Sequence, residues 1–101
     1  MARYHNYYVY ICCNKLKTVL YVGVTNDLLI RMAQHRNDSE LGVNSFCGRY
    51  RCYNLLYWEY YRSIHVAIDR EKQLKRWSRK KKEALINLEN PNWDFLDLGL
   101  E

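Results

Sequence analysis

Proline occurs once, at Pro91, and glycine four times in 101 residues. So few chain breakers exclude a flexible linker or a low-complexity tail. With 49% hydrophobic and 15% aromatic residues they point to one packed domain over residues 1–101. No apolar run approaches the about 20 residues that span a bilayer, so no membrane partner is expected. Residues Met1–Asn6 hold no signal-like apolar stretch, and the expected compartment is the cytoplasm. The four cysteines (Cys12, Cys13, Cys47, Cys52) form no Cys-x-x-Cys pair and have no histidine at zinc-ligand spacing, so unpaired structural thiols are expected. Positive charge is missing from one end. Residues 83–101 contain no Lys or Arg and five acids (Glu83, Glu89, Asp94, Asp97, Glu101), a balance of −5. Residues 1–82 hold all sixteen basic residues and six acids, a balance of +10. The net charge of +5 therefore combines a basic body, suited to a polyanion, with an acidic helix end and tail.

What is present reads as a β-β-α-β-α-α order. Residues 7–13 (YYVYICC) and 18–24 (TVLYVGV) are aromatic and β-branched, separated by the polar loop 14–17, and predict a β-hairpin. Thr25 or Asn26 is expected to cap a helix from Leu28 to Arg36, with Asp27 in its first turn and Leu28, Leu29, Met32 and Ala33 on one side. Residues 37–52 read as irregular and polar, and 54–61 as a third strand. Ser63 is expected to cap a helix running to about Trp77, with Ile64, Ala67, Ile68 and Leu74 as its apolar stripe. Ser78 is expected to cap a last helix, which Pro91 must follow. An α+β fold, a small three-stranded antiparallel sheet flanked by helices, accommodates this order.

Several polar residues fall on faces that should be apolar. Glu71 lies on the stripe of Ala67, Ile68 and Leu74, where a carboxylate must be paired, hydrogen-bonded or bound to a cation. An ion pair with an arginine, or a stem at the edge of the stripe with its head in water, would satisfy it equally. Asp27, Arg31 and His35 follow one helical row, which suits either a phosphate or a plain surface row with an Asp27–Arg31 pair. Tyr8, Tyr10 and Cys12 share one strand face, as do Val19, Tyr21 and Gly23 on the next strand. A hairpin closing with Cys13 opposite Thr18 sets Tyr10 opposite Tyr21 and Tyr8 opposite Gly23, side by side with room left by the glycine. Cross-strand aromatic packing alone would also explain that pair. Lys75, Arg76, Arg79, Lys80, Lys81 and Lys82 place six positive charges in eight residues, with Trp77 among them. They read either as a solvated helix junction or as a phosphate-contacting patch with Trp77 available for stacking, to which Arg49 and Arg51 add.

Taken together, Tyr8-Val9-Tyr10, then Tyr21-Val22-Gly23-Val24-Thr25-Asn26-Asp27-Leu28 followed by Arg31 and His35, then Ala67 to Trp77 around Glu71, and the ending Glu89-Asn90-Pro91-Asn92-Trp93 resemble the small stand-alone bacterial members of the GIY-YIG nuclease superfamily. The resemblance implies the GIY-YIG fold and a nuclease that uses one divalent ion, Mg²⁺ or Mn²⁺. It makes Glu71 the metal ligand and Arg31 the group that binds the scissile phosphate. It gives Tyr10 and Tyr21 the task of orienting or deprotonating the attacking water, and His35 that of relaying protons. A phosphodiester hydrolase needs such parts: a positioned nucleophile, a cation on the phosphoryl oxygens and help for the leaving alkoxide. One carboxylate suffices for Mg²⁺, which keeps most of its waters. A free tyrosine, with a pKa of about 10, is a poor base at neutral pH, so Arg31 and the metal would have to lower it. The chain departs from the family pattern where Tyr8 and Val9 replace the first two motif letters. Asn87 and Asn90 are the late asparagines nearest the place where some members carry one for the phosphate or leaving group.

The expected function is a Mg²⁺-dependent endonuclease on DNA, in repair or on unusual DNA structures, with RNA the other candidate polymer. The alternative is a nucleic-acid-binding module that keeps the fold with weak or no catalysis. A third reading is a structural or protein-interaction domain, open to a protein partner or a homodimer, in which Trp93, Phe95, Leu96, Leu98 and Leu100 of the acidic tail are able to pack either on the body or on a partner.

Overall fold

The computed structural model describes residues 5–96. Met1–Tyr4 and the tail residues Asp97, Leu98, Leu100 and Glu101 lie outside the described residues. The elements are β1 (Tyr7–Cys13), β2 (Leu20–Thr25), α1 (Leu28–Leu41), α2 (Phe46–Tyr50), β3 (Asn54–Tyr61), α3 (Ile64–Arg76) and α4 (Arg79–Glu89). The strands form one three-stranded antiparallel sheet, as the sequence predicts, with the spatial order β2-β1-β3 and a short extra helix α2 inside the segment read as irregular.

β1 is the middle strand, and its alternation feeds two apolar clusters. Val9, Ile11 and Cys13 pack with Val22, Leu56, Ala67, Leu74 and Ile86, which places α3 and α4 on that face. Tyr10 and Cys12 pack with Leu28, Cys47, Cys52 and Leu55, which places α1 and α2 on the other. A strand covered on both sides needs apolar or fully bonded residues at every position, and residues 9–13 are all buried.

Several local features differ from the sequence expectation. The hairpin pairs Tyr10 with Gly23, Cys12 with Tyr21 and Cys13 with Leu20. The cause is a longer loop. The Asn14 carboxamide oxygen accepts from Thr18 N at 2.9 Å and Val19 N at 3.0 Å, so β2 starts at Leu20 rather than Thr18. The shift is two residues, one full period, so every side chain keeps its expected face. The α1 cap is Asp27, whose Oδ1 accepts from Ile30 N at 3.0 Å, not Thr25 or Asn26. α1 also runs past Arg36 to Leu41, where Gly42 in the left-handed conformation (φ 67°) closes it. Its buried line is Leu28, His35 and Ser39, while Ala33 is exposed. Ser45 then caps α2 through Gly48 N at 3.0 Å, and a Cβ on Gly48 would collide with the Val43 carbonyl. α3 is capped by Ser63 and α4 by Ser78, as expected, but Ile64 at the start of α3 is exposed.

The described part of the tail folds back on the body. Leu96 N donates to Leu55 O at 2.8 Å, and Leu96 packs beside the second cluster. Trp93 packs beside the first cluster, with its indole donating to Asn87 Oδ1 at 2.6 Å. Asn90 is buried and ties Leu56 O to Asp94 O through Nδ2.

Candidate active site

The sheet face under α1 carries two phenols, an imidazole and a guanidinium. Tyr10, in the middle of β1, has no exposed surface. Its ring crosses over Gly23 on β2, where a Cβ would stand 2.5 Å from the Tyr10 Cζ and overlap the hydroxyl. The glycine therefore leaves room for Tyr10 itself. Tyr21 lies on the same face one pair away, with its ring centroid 6.3 Å from that of Tyr10, and is half-buried.

α1 lowers His35 onto this pair. His35 is buried, its Nε2 is 2.7 Å from the Tyr10 hydroxyl, and its ring meets Tyr21 edge-on at 5.5 Å. Arg31, one turn earlier and half-buried, faces both phenols, with one guanidinium nitrogen donating to Gln34 Oε1 at 3.0 Å. The row Asp27, Arg31, His35 is thus not a plain surface row: Asp27 caps the helix and the other two turn inward.

Burial dominates the titration of the phenols. The Tyr10 hydroxyl is pushed far above the ordinary phenol value, first by desolvation and then by Cys12, against the opposing pull of Arg31. Tyr21 is raised by burial and by Cys47, opposed by Lys75 and Arg31. Arg31 by itself does not bring either phenol into the neutral range. For Arg31, burial works against the charge, but hydrogen bonding to Tyr10 and the fields of both phenols raise its pKa. The guanidinium stays charged.

Glu71 stands on α3, half-buried, with its carboxylate 3.4 Å from Lys75 Nζ one turn on. The ion pair is with a lysine of its own helix rather than with an arginine. Lys75 Nζ in turn lies 5.8 Å from the centre of the Tyr21 ring. The structure thus brings Tyr10, Tyr21 and His35 into contact, sets the Arg31 charge beside them, and links Glu71 to them through Lys75.

The basic residues divide by what they touch. Arg79 donates to Thr18 O at 2.7 Å and Lys17 O at 2.8 Å and pairs with Glu83 at 2.9 Å, so it fastens the hairpin loop to α4. The Trp77 ring has the Arg70 guanidinium 5.1 Å and Lys81 Nζ 4.5 Å from its centre, so it already engages two cations. Arg76, Lys80 and Arg51 are exposed, Lys82 is half-buried, and Arg49 donates to Asn44 Oδ1 at 2.8 Å.

Sequence spacing gave no sign of three other features. Cys47, delivered by α2, sits 3.9 Å from His35 Nε2, beside Cys12. The Cys12 thiol donates to Cys52 O at 3.5 Å, and the proximity of the two thiols raises Cys12 and lowers Cys47, the latter also helped by His35. Phe46 and Tyr50 extend the aromatic row outward from Tyr21, Phe46 stacking on it at 5.5 Å. On the opposite face Glu59 of β3 holds Arg70 of α3 through two 2.9 Å bonds while accepting from Tyr57 and Tyr61. Apart from the local Phe46–Tyr50, Tyr57–Glu59 and Tyr61–Glu59 contacts, these join residues 11 to 40 positions apart, which only the fold brings together.

The family described as the GIY-YIG catalytic domain matches residues 6–84, a span that includes both tyrosine strands, α1 and the Glu71 helix. The chain is 36% identical over 84 residues to a UPF0213 protein of Bacillus pumilus (strain SAFR-032), covering 81% of this chain and 80% of that one. The solution NMR structure of a UPF0213 protein from Bacillus halodurans superposes with a TM-score of 0.54 at 30% identity, covering 95% of this chain and 99% of that one. With the paired tyrosine strands and the arginine- and histidine-bearing helix in place, the chain belongs to the GIY-YIG family.

Proposed function

We propose that this protein is a divalent-metal-dependent endonuclease that hydrolyses phosphodiester bonds in DNA, in repair or on unusual DNA structures. The observation that carries the reading is the grouping of Tyr10, Tyr21, Arg31 and His35 on one sheet face, with Glu71 one lysine away. In the nuclease superfamily to which the domain belongs, a polyanionic substrate also suits the +10 balance of residues 1–82.

Burial divides the roles. Tyr21 is the phenol with a surface to present, and it orients the attacking water. Tyr10 touches no solvent and acts as a positioning residue, holding His35 through the 2.7 Å bond with the Arg31 guanidinium nearby. Arg31 keeps its charge and binds the scissile phosphate, where a preorganised cation stabilises the charge that develops on the phosphoryl oxygens. A proton reaching His35 Nε2 comes through the Tyr10 hydroxyl bonded to it.

Glu71 fits a hard cation: its carboxylate has an ammonium partner that a metal can displace, and one oxygen donor plus waters satisfies Mg²⁺ or Mn²⁺. Such an ion supplies Lewis acidity to a phosphoryl oxygen. The exposed cations Arg76, Lys80, Arg49 and Arg51, with Lys82 and Lys81, guide the DNA backbone.

A plasmid and branched-DNA nicking assay with Mg²⁺ tests the reading. Wild type is expected to nick, and Glu71→Gln or Arg31→Ala to reduce the rate on the order of 10²- to 10³-fold. No cleavage of any DNA form, or cleavage unchanged in Glu71→Gln, overturns it. Salt-dependent binding without cleavage assigns the chain to the non-catalytic alternative. One observation favours that outcome: Asn87 and Asn90 both hold Trp93 and the tail, so neither is placed to assist a leaving group.

A further inference from the structure

Cys12, His35 and Cys47 form a second cluster with chemistry of its own. Cys12 comes from β1, His35 from α1 and Cys47 from α2, so three separate elements converge. All three are buried, and their ligand atoms lie within 4.8 Å of one another. Cys47 Sγ is 3.9 Å from His35 Nε2. In a tetrahedral zinc site, bond lengths of about 2.3 Å to sulfur and about 2.0 Å to nitrogen separate the donors by roughly 3.5 to 3.8 Å. The observed spacing therefore needs a contraction of at most about 1.3 Å to enclose an ion. The donor set is soft, two thiols and an imidazole, and selects zinc-like ions over Mg²⁺. Two backbone features hold the cluster in place. Gly48 packs tightly against the Val43 carbonyl and fixes α2, and Cys12 is locked in the central strand.

We infer that Cys12, His35 and Cys47 form a binding site for a thiophilic divalent cation, Zn²⁺ in class, that switches the neighbouring phenol site off. The switch follows from one lone pair. His35 Nε2 now faces the Tyr10 hydroxyl at 2.7 Å, and the same nitrogen cannot both bind a metal and keep that bond. Binding converts each thiol to a thiolate and releases its proton to solvent, with no redox step. It frees Tyr10 from His35 and, with Tyr10, disturbs Arg31. The inhibitory part rests on the nuclease reading; the metal site itself does not.

The test uses the reduced full-length chain. Titration with Co²⁺ alone is expected to give a thiolate-to-metal charge-transfer band in the near ultraviolet that saturates at one ion per chain, and Zn²⁺ is expected to bleach it. Cys12→Ser and Cys47→Ser should each weaken Co²⁺ binding by at least about 10- to 100-fold, the loss that even an outer-sphere partner causes. Cys52→Ala and Glu71→Gln should leave the band unchanged. Circular dichroism establishes that each variant is folded. Should a cysteine variant unfold, the His35 ring ¹⁵N resonances of wild type decide the matter, since Zn²⁺ on Nε2 must move them. No thiolate band, a band that survives Cys47→Ser in the folded protein, or unmoved His35 resonances overturn the site. In the nicking assay Zn²⁺ at one equivalent should suppress Mg²⁺-supported cleavage in wild type and spare Cys47→Ser. A band with no cleavage under any condition keeps the metal site and removes the nuclease; cleavage with no band does the reverse.

Discussion

At Gly23 a hydrogen in place of a methyl group decides where the Tyr10 phenol lies. The ring of Tyr10 occupies the volume that any Cβ would need. Gly23→Ala is therefore expected to push Tyr10 aside, to lengthen its bond to His35, and to cost about 1 to 3 kcal/mol in stability through overpacking. Under the proposed function nicking should fall on the order of 10²-fold, because a displacement of about 1 Å at a positioning residue has that effect. Chemical denaturation and the nicking rate check the two parts separately. Tyr10 and Tyr21 were placed on one face from the sequence alone, since period-2 alternation survives a two-residue error in register. What alternation cannot convey is that the glycine sits under Tyr10, because that depends on the carboxamide of Asn14 drawing Thr18 and Val19 into the loop.

Elements meet through charged clips as much as through apolar faces. Glu59 on β3 and Arg70 on α3 form a two-bond pair, with Tyr57 and Tyr61 donating to the same carboxylate. Burial opposes ionisation of Glu59, but hydrogen bonds from Arg70, Tyr57 and Tyr61 outweigh it and hold the carboxyl below the usual range. A carboxyl with a depressed folded pKa stabilises the fold above its unfolded pKa, and that contribution is lost as pH falls through the folded value. Wild-type Tm is thus expected to fall as pH drops below about 4, and Glu59→Gln to lower Tm at neutral pH while flattening this acid limb. Loss of the charged partner should cost about 2 to 3 kcal/mol at neutral pH, measured by denaturant unfolding. At this scale most elements were legible: strands 7–13 and 54–61, the helix caps at Ser63 and Ser78, and the stop at Pro91. The end of α1 and all of α2 were not. Asn37, Asp38 and Asn44 read as loop residues, and α2 is stabilised by a serine cap and by its packing on Tyr21 and Cys12 rather than by local propensity.

For the whole molecule the charge split noted in the sequence acquires a structural meaning up to Leu96. The acidic segment begins on α4, and its described residues pack on both clusters through Trp93, Leu96 and the buried Asn90. Removing residues 92–101 is expected to lower stability by about 2 kcal/mol or more, from the loss of Trp93 and Leu96 burial and of the bonds to Asn90 and Leu55. Thermal unfolding of the truncated chain checks this, and an unchanged Tm would instead make the segment a docking element. The central place of β1 carries a consequence in time. Its partner β2 follows after a six-residue loop, whereas its other partner β3 pairs across about 40 residues that contain α1 and α2. The local hairpin is expected to close before the distant strand, because the longer loop has the larger closure entropy. During synthesis the arginine, the histidine and the α2 cysteine all leave the ribosome before the strand that completes the sheet. Tyr10, Tyr21, Arg31 and His35 all lie on β1, β2 and α1, so their contacts are expected to form with the hairpin, and Glu71 on α3 to join them last; recovery of the Tyr10–His35 contact after dilution from denaturant should precede the slow closure of β3.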